Sequence, residues 1–271
     1  MSIYWNIEQN RAGRDFVVGD IHGHLTQLQD QLNALAFDSA TDRLFCLGDV
    51  VDRGPDSAAL LDMIDQKTVF GILGNHEAMM IAGFENEADV QLHYANGGEW
   101  FYDLNRSEQS RLVEKVRQWP WAMQIDTGHS TAGLIHADVP DSSWEKVEGL
   151  TRLASKPWAE GAAMSDPRIA LAAQPLIWNR GLVRRLYRDV IDIGRGKMSK
   201  ARYEQEFQHW AEKISNADAE QRRPFQVSGI GSVYLGHSYV PVATQIGNCH
   251  FLDTFRGEMG EELCVVCTTK E

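Results

Sequence analysis

The amino-acid sequence predicts an α/β fold, and three observations support that prediction. Within the first 80 residues, short apolar runs alternate with stretches in which apolar residues recur at helical spacing. Strand-like runs return near the end of the chain, after a middle region that is richer in helical patterns. With 271 residues, 43% of them hydrophobic, the chain is long enough to bury a sizeable core.

The first 80 residues have the pattern of a β-α-β-α-β unit. Strands are predicted at residues 16–18, 44–47 and 69–73, and helices at residues 24–37 and 58–64. The period of the first helix is set by Leu25, Leu28, Leu32 and Leu35. A unit of this kind implies parallel strands that are joined by right-handed crossovers.

The rest of the chain adds a helical middle and a second set of strands. A helix is predicted at residues 107–118, with Ser107 as its cap and Glu108 in its first turn. Further strands are predicted at residues 122–125, 132–135, 232–235, 242–246, 248–253 and 263–267. Residues from about 142 to 225 show few strand signals and many charged side chains, which indicates a helical insertion or cap. We therefore expect a single domain, residues 1–271, that contains this insertion.

The charge and hydropathy of the chain argue against several classes of function. The formal net charge is −12 at pH 7, whereas a general nucleic-acid binder or a polybasic membrane anchor carries a basic surface. The sequence does not open with a basic and then apolar leader, and it has no run of about 18 apolar residues. We therefore expect a cytoplasmic protein that binds neither nucleic acid nor a membrane.

Two of the four cysteines have the spacing of a CxxC motif. Cys264 and Cys267 lie within residues 262–268, a run that has the pattern of a strand. Residues three apart on a strand face opposite sides, so the two sulfur atoms could not bind the same ion. We interpret both as structural, since a free cysteine usually behaves as a small buried hydrophobe.

Five short segments share a pattern that points to chemistry: an apolar strand ends, and polar residues of metal-ligand type follow. They are Gly19-Asp20-Ile21-His22-Gly23, Gly48-Asp49-Val50-Val51-Asp52-Arg53-Gly54, Gly74-Asn75-His76-Glu77, Ile135-His136-Ala137-Asp138 and Gly236-His237-Ser238. Any one of them alone is most often a solvated turn. Three of them within about 60 residues, each after an apolar strand, predict a catalytic site at the carboxyl ends of the strands.

The residue types in these segments suit a dinuclear hydrolytic site. Carboxylate, imidazole and amide oxygen groups together bind divalent ions such as Mn²⁺, Zn²⁺ or Fe²⁺. Two ions about 3.5–4 Å apart can hold both a nucleophile and the oxygens of a phosphate. Such a pair needs a bridging carboxylate, which one of the strand-end aspartates could supply.

The segments resemble the phosphoprotein phosphatase branch of the calcineurin-like metallophosphoesterases. That family has the patterns GDxHG, GDxVDRG and GNHE, followed by two later histidines, and all of them occur here in order. The sequence is more closely similar to the bacterial and lambda-phage type of Ser/Thr protein phosphatase. Three segments carry that closer likeness: Asn96-Gly97-Gly98-Glu99-Trp100, His136-Ala137-Asp138 and Leu176-Ile177-Trp178-Asn179-Arg180.

The resemblance implies a four-layer αββα sandwich of mixed sheets flanked by helices, with two divalent cations at its site. Mn²⁺ is the expected ion, with Fe or Zn as alternatives. Asp20, His22 and Asp49 would hold the first ion. The second ion would be held by Asp49, Asn75, His136 and His237, with Asp49 bridging the two.

The resemblance also implies how the reaction proceeds. A hydroxide held by both ions would attack phosphorus in line, and His76 would protonate the leaving oxygen while Asp52 orients its imidazole. The phosphate oxygens would be bound by Arg53, Asn75 and Arg180. These roles agree with general chemistry, because histidine transfers protons near neutral pH and arginine presents a fork that matches phosphate.

Some positions depart from the family pattern or lie outside it. Leu73 stands where many relatives carry a phosphate-binding arginine, so one expected clamp is missing. Glu77 and Asp138 are predicted to orient the metal ligands without binding the ions themselves. The remaining histidines are predicted to be structural or solvated: His24, His93, His129, His209 and His250.

The predicted function is that of a metal-dependent phosphoprotein phosphatase acting on phosphoserine and phosphothreonine, with phosphotyrosine also within reach of an open site. Its partner would be a phosphoprotein or phosphopeptide. A hydrolase of dinucleoside polyphosphates is the first alternative, although the GDVVDRG segment and Glu77 favour the phosphatase branch. The second alternative is a non-catalytic phosphate-binding scaffold, which would usually have lost a ligand or His76.

Overall fold

In the computed structural model, which describes residues 2–186, 199–257 and 261–268, two mixed β-sheets lie face to face. The strands are β1 (Tyr4–Ile7), β2 (Asp15–Val18), β3 (Arg43–Cys46), β4 (Val69–Gly71), β5 (Ala122–Asp126), β6 (Thr131–Ile135), β7 (Ser232–Leu235), β8 (Thr244–Ile246), β9 (Cys249–Phe251) and β10 (Val265–Cys267). Among the described residues, one sheet has the order β10-β2-β3-β4 and the other has the order β1-β5-β6-β7-β9-β8.

Both sheets mix parallel and antiparallel neighbours. Strands β2, β3 and β4 are parallel, as the β-α-β-α-β pattern predicts, and β10 runs antiparallel to β2 at the edge. In the larger sheet β6, β7 and β9 are parallel, whereas β5 and β8 run antiparallel to β6 and β9. The mixed sheets confirm the predicted fold class.

The apolar side chains of the strands divide between two core layers. On β2, Val17 joins a buried cluster that also contains residues of the larger sheet, including Met123 and Leu134, whereas its neighbours Phe16 and Val18 face the helices. This division follows from the alternation of side chains along a strand. The core therefore has one layer between the sheets and further apolar packing beneath the helices, as in an αββα sandwich.

The helices cover the outer faces of the sheets and fill most of the predicted insertion. They are α1 (Leu25–Ala34), α2 (Ser57–Met63), α3 (Asn75–Glu85), α4 (Val90–His93), α5 (Glu99–Tyr102), α6 (Arg106–Val116), α7 (Trp144–Ala159), α8 (Pro167–Ala173), α9 (Gly181–Leu186), α10 (Lys200–Ser215) and α11 (Ala219–Arg222). Short 3-10 or π turns extend or join several of them. None of the helices in the described parts of the chain is long and apolar enough to cross a bilayer.

The structure corrects the predicted cap of one helix, and it leaves Cys267 exposed where a buried cysteine is predicted. The helix predicted at residues 107–118 is α6, but its cap is Asn105 and not Ser107. The side chain of Asn105 accepts the backbone N–H of Glu108 at 3.1 Å, and the Glu108 carboxylate accepts the backbone N–H of Asn105 in return. This reciprocal pair is a capping box, which satisfies two N–H groups that have no partner inside the helix.

Candidate active site

The five predicted segments meet at one edge of the sandwich. Strands β2, β3 and β4 end together on one sheet, and β6 and β7 end together on the other. Each strand delivers its polar residues to this edge directly after its last buried apolar residue. All six residues predicted as metal ligands are buried there: Asp20, His22, Asp49, Asn75, His136 and His237.

Several of these residues adopt a backbone conformation that costs free energy. The φ angles are 48° at His22, 49° at Asp49 and 64° at His237, all in the left-handed region that side chains other than glycine rarely adopt. Strain of about 1–3 kcal/mol per residue persists only where the surroundings enforce it, and it concentrates at functional sites. The turns after β2, β3 and β7 are thus shaped to aim side chains, beyond simply reversing the chain.

Glu77 on α3 enforces the turn that follows β3. Its buried carboxylate accepts the backbone N–H groups of Asp49 at 2.8 Å, Val50 at 2.9 Å and Gly74 at 2.9 Å. Burial raises the pKa of Glu77 to about 7, and the nearby charge of Asp49 adds to that shift. Glu77 therefore joins the two ligand-bearing turns that follow β3 and β4 through hydrogen bonds.

The candidate ligand atoms form two overlapping groups. Those of His22, Asp49 and His76 lie within 4.8 Å of one another, and so do those of Asp49, His136 and His237. Asp49 belongs to both groups, which is the arrangement that a bridging carboxylate requires.

Asp20 and Asn75 lie next to these two groups. Asp20 Oδ2 lies 3.9 Å from His22 Nε2, and Asn75 Oδ1 lies 3.0 Å from His136 Nε2. Asp20 also accepts the backbone N–H of His237 at 2.9 Å, which joins the turn after β2 to the turn after β7. All six predicted ligands therefore converge on one pair of adjoining positions.

Each of the three histidines predicted as metal ligands has one imidazole nitrogen within hydrogen-bond distance of a backbone carbonyl. His22 Nδ1 lies 3.1 Å from the carbonyl of Val51, and His136 Nδ1 lies 2.7 Å from the carbonyl of Leu47. His237 Nε2 lies 3.0 Å from the carbonyl oxygen of Trp178. A carbonyl can only accept, so the fixed nitrogen carries the hydrogen and the other nitrogen is left to bind a cation.

The crowding of buried carboxylates at the site is consistent with bound cations. Burial raises the pKa of Asp20 well above its usual range, and the neighbouring carboxylates of Asp253 and Asp49 raise it further. Burial and Asp49 likewise raise the pKa of Asp253 to about 7. Carboxylates that are crowded together away from water repel one another, and divalent cations held between them would offset that repulsion.

The imidazoles of His22 and His237 fit the same interpretation, whereas the Asp49 carboxylate raises the pKa of His136 to about 9 although burial opposes that change. Burial lowers the pKa of His22 to about 3 and that of His237 to about 2, so both rings are neutral at physiological pH. A histidine must be neutral to bind a metal. The mixture of carboxylate, imidazole and amide donors suits Mn²⁺, Fe²⁺ or Zn²⁺.

His76 lies beside the first group but is held differently from the ligands. Its Nδ1 lies 2.7 Å from the Asp52 carboxylate, and its Nε2 lies 3.2 Å from the guanidinium of Arg53. Although burial opposes the change, the carboxylates of Asp49 and Asp52 raise the pKa of His76. The Asp52 carboxylate can only accept, so Nδ1 of His76 carries the hydrogen in that bond, and the negative charge nearby favours the charged ring, which suits an imidazole that transfers a proton at Nε2.

Two arginines border the site, one at His76 and the other at His237. Arg53 is exposed and reaches His76, as described above. Arg180 is also exposed, and its Nη1 donates to the carbonyl of His237 at 2.7 Å and to Ser238 Oγ at 3.1 Å. Asp138 accepts the N–H of Gly181 at 2.8 Å and so anchors the chain next to Arg180.

Residues 16–240 match the family described as calcineurin-like phosphoesterases, and that span contains all five segments. The chain is a calcineurin-like phosphoesterase. Members of this family hydrolyse phosphoesters with a pair of metal ions, and the two overlapping groups of histidine and aspartate side chains fit such a pair.

Relatives of this phosphoesterase carry two kinds of name. Over 144 residues it is 37% identical to serine/threonine-protein phosphatase 2 of Escherichia coli (strain K12), an alignment that covers 52% of this chain and 66% of that protein. Over 128 residues it is 32% identical to the symmetrical bis(5'-nucleosyl)-tetraphosphatase of Pseudomonas fluorescens (strain SBW25), which covers 46% of this chain and 43% of that protein. Less than two thirds of either relative is therefore matched.

A solved structure supports the fold of the phosphoesterase. A protein serine/threonine phosphatase from Saccharomyces cerevisiae superposes with a TM-score of 0.54, covering 100% of this chain and 85% of its own. The two sequences are 13% identical in that superposition, so the likeness concerns the fold alone.

Sequence reasoning missed three residues of the phosphoesterase site. His93 and Trp100 contact the Asp52 carboxylate, and Asp253 lies buried beside Asp20 and Asp49. Trp100 lies in a segment that carries the family likeness but was given no role, His93 precedes that segment, and Asp253 resembles any polar residue that ends a strand. Conversely, His24 packs edge-on against Phe255, with 4.9 Å between the ring centroids, and belongs to neither ligand group.

Proposed function

We propose that this phosphoesterase is a phosphoprotein phosphatase that hydrolyses phosphoserine and phosphothreonine monoesters, with Mn²⁺ as its activating ion. The observation that carries the proposal is the juxtaposition of His76, Asp52 and Arg53 with the two overlapping ligand groups. A phosphoprotein or phosphopeptide is the proposed partner. Phosphotyrosine is a further substrate under this proposal, because an open site recognises the phosphoryl group more than the rest of the molecule.

Each residue has a part that follows from its position. When bound, the two cations supply an activated water and neutralise charge on the phosphoryl oxygens. His76 gives its proton to the oxygen of the departing serine or threonine, and Asp52 holds the ring so that one nitrogen faces the substrate. Asn75, whose Oδ1 lies 3.0 Å from His136 Nε2, would hold the second ion and offer its amide N–H to a phosphoryl oxygen.

Phosphate binding rests on Arg53 and Arg180, because the third expected clamp is missing. Leu73, which occupies that position, is fully buried and presents only hydrocarbon to its surroundings. Arg53 and Arg180 approach the metal-ligand groups from the His76 side and the His237 side respectively. A phosphate between them would meet a guanidinium on each side, a charge-assisted arrangement that anions favour.

Two alternatives compete with this proposal. The relative named as a tetraphosphatase keeps the dinucleoside polyphosphate hydrolase open, although the GDVVDRG segment and the buried Glu77 favour the phosphatase branch. A phosphate-binding scaffold would not need a proton donor, yet His76 is present and hydrogen-bonded.

The test is an assay of metal-stripped protein with added Mn²⁺ on a phosphoserine peptide, a phosphotyrosine peptide and diadenosine tetraphosphate. We expect phosphate release from the peptides, and we expect His76→Asn to lower kcat by about 10²–10⁴-fold, the usual contribution of a general acid. His129→Asn is the matched control, because His129 is exposed on a turn outside the site.

Each outcome assigns the protein to one class. Preferred cleavage of the dinucleotide would move it to the tetraphosphatase branch. No turnover of any substrate with Mn²⁺, Zn²⁺ or Fe²⁺ would reject an enzyme of the proposed kind and favour the scaffold.

A further inference from the structure

The run Asn96-Gly97-Gly98-Glu99-Trp100 has no role in the proposed function, although the sequence singles it out. Its first three residues end the π turn (Tyr94–Gly98) that joins α4 to α5, and its last two begin α5. This turn packs against the loop that carries Asp52 and Arg53: the Gly97 carbonyl accepts the backbone N–H of Arg53 at 3.1 Å. The segment therefore lies directly behind residues that face the substrate.

Three N–H donors surround the carboxylate of Asp52. Trp100 Nε1 donates to Oδ1 at 2.8 Å, and His93 Nε2 lies 3.1 Å from both oxygens. His76 Nδ1 occupies the remaining direction, 2.7 Å from Oδ2. Asp52 and His93 are fully buried, so no water competes for these bonds and the carboxylate has little freedom to rotate.

The contacts of His93 also define which of its nitrogens carries hydrogen. An ionised carboxylate can only accept, so Nε2 must be the donor to Asp52. In the neutral ring Nδ1 then accepts the hydroxyl hydrogen of Tyr102, whose oxygen lies 3.0 Å away. A continuous chain of hydrogen bonds thus runs from Tyr102 through His93 and Asp52 to His76.

The glycines of the run are needed to bring this chain together. A Cβ atom at Gly98 would collide with the imidazole of His93, and Gly97 has a φ of 96°, which disfavours other residues. A side chain at Gly97 would also press on the backbone of Arg53. The two glycines let the segment close tightly on both His93 and Arg53.

We propose that His93 and Trp100 are positioning residues that fix the Asp52 carboxylate and, through it, the imidazole of His76. Asp52 needs such support because it lies on a strained turn, with φ angles of 72° at Asp52 and 67° at Arg53. Without the two donors the carboxylate can rotate away from His76 Nδ1, and the ring loses the orientation that proton transfer requires. The inference deepens the proposed function and rests on it for the natural ester.

The test uses Trp100→Phe, which removes one N–H and keeps most of the aromatic volume. Its kcat is compared on a phosphoserine peptide, phenyl phosphate and p-nitrophenyl phosphate. We expect a loss of about tenfold on the phosphoserine peptide, the size of one lost hydrogen bond to a charged group. On p-nitrophenyl phosphate we expect less than about a twofold change, because a good leaving group departs with little help from an acid.

Matched variants separate positioning from general stability. Trp5, on the edge strand β1, also donates an indole hydrogen bond, to the carbonyl of Ser2, and Trp5→Phe should leave all three rates unchanged. At position 93, glutamine keeps an N–H donor and leucine does not, so His93→Gln should retain more activity on the phosphoserine peptide than His93→Leu. An equal loss on all three esters, or no loss on any, would overturn the inference.

The ester series also keeps this inference distinct from the proposed function. If the wild-type protein cleaves the aryl phosphates but not the phosphoserine peptide, the proposed function fails. The ratio of the Trp100→Phe effects on phenyl phosphate and p-nitrophenyl phosphate then still decides the role of Trp100.

Discussion

Arg53, like Arg180, differs from the predicted metal ligands because it is exposed while they are buried. Its guanidinium lies 3.2 Å from His76 Nε2, where it can bind a phosphate oxygen next to the leaving group. We expect Arg53→Ala to lower kcat/KM by about 10–100-fold, the size of a lost charge-assisted contact. Steady-state kinetics on a phosphopeptide measure this loss.

A lysine at position 53 should restore only part of the activity, because an ammonium cannot form the two parallel bonds of a guanidinium fork. Arg11→Ala is the control, since Arg11 is exposed and lies outside the site. Full activity of Arg53→Ala would exclude Arg53 from phosphate binding.

At the scale of single residues, the sequence predicted the side chains that lie in short motifs. It missed a residue outside those motifs whose hydrogen-bond partner is distant along the chain. Asp20 and His22 stand two positions apart, and Asp49 and Asp52 three, so each pair can be read from a short segment. His93 reaches Asp52 from 41 positions along the chain, and that contact depends on the π turn after α4. Strict hydrophobic periodicity does not encode such a turn, so His93 was assigned a structural or solvated role.

Helix α6 tests how far local sequence determines the boundary of an element. Asn105→Ala should lower the free energy of unfolding by about 1 kcal/mol, because it removes the side-chain oxygen that accepts the N–H of Glu108. Ser107→Ala is the matched control and should have little effect, since Ser107 lies inside the helix on an exposed face. Chemical denaturation measures both changes. A larger effect of Ser107→Ala would contradict the observed cap.

Among the elements, strands with a strong apolar run were predicted best. The strand predicted at residues 232–235 is β7, with the same bounds, and β2 and β3 each begin one residue earlier than predicted. Strand β1 was missed, because Tyr4–Ile7 includes Asn6 and is only partly buried at the edge of its sheet. Helix α3 was not predicted beyond its GNHE segment, since it is buried on most sides and lacks the amphipathic pattern of a surface helix.

At the scale of the whole molecule, the site depends on both sheets at once. One sheet supplies Asp20, Asp49 and Asn75 from the turns after β2, β3 and β4, and the other supplies His136 and His237 after β6 and β7. The sequence predicted these ligands but could not derive how the sheets pack, which came only from the family resemblance. Face-to-face packing is what brings the two sets of turns to the same edge.

Because the ligands come from two sheets, bound cations should hold the sandwich together as well as serve the reaction. A ligand that binds only the folded state at 100 times its Kd adds about 2.7 kcal/mol of stability, which corresponds to a rise of roughly 5–10 °C in Tm for a chain of this size. We therefore expect Mn²⁺ to raise the Tm of metal-stripped protein by that amount in calorimetry, and a chelator to reverse it. His237→Ala should reduce the shift, because it removes the ligand that follows β7, whereas His129→Ala should preserve it. An equal Tm with and without Mn²⁺, Zn²⁺ or Fe²⁺ would contradict a cation site that bridges the two sheets.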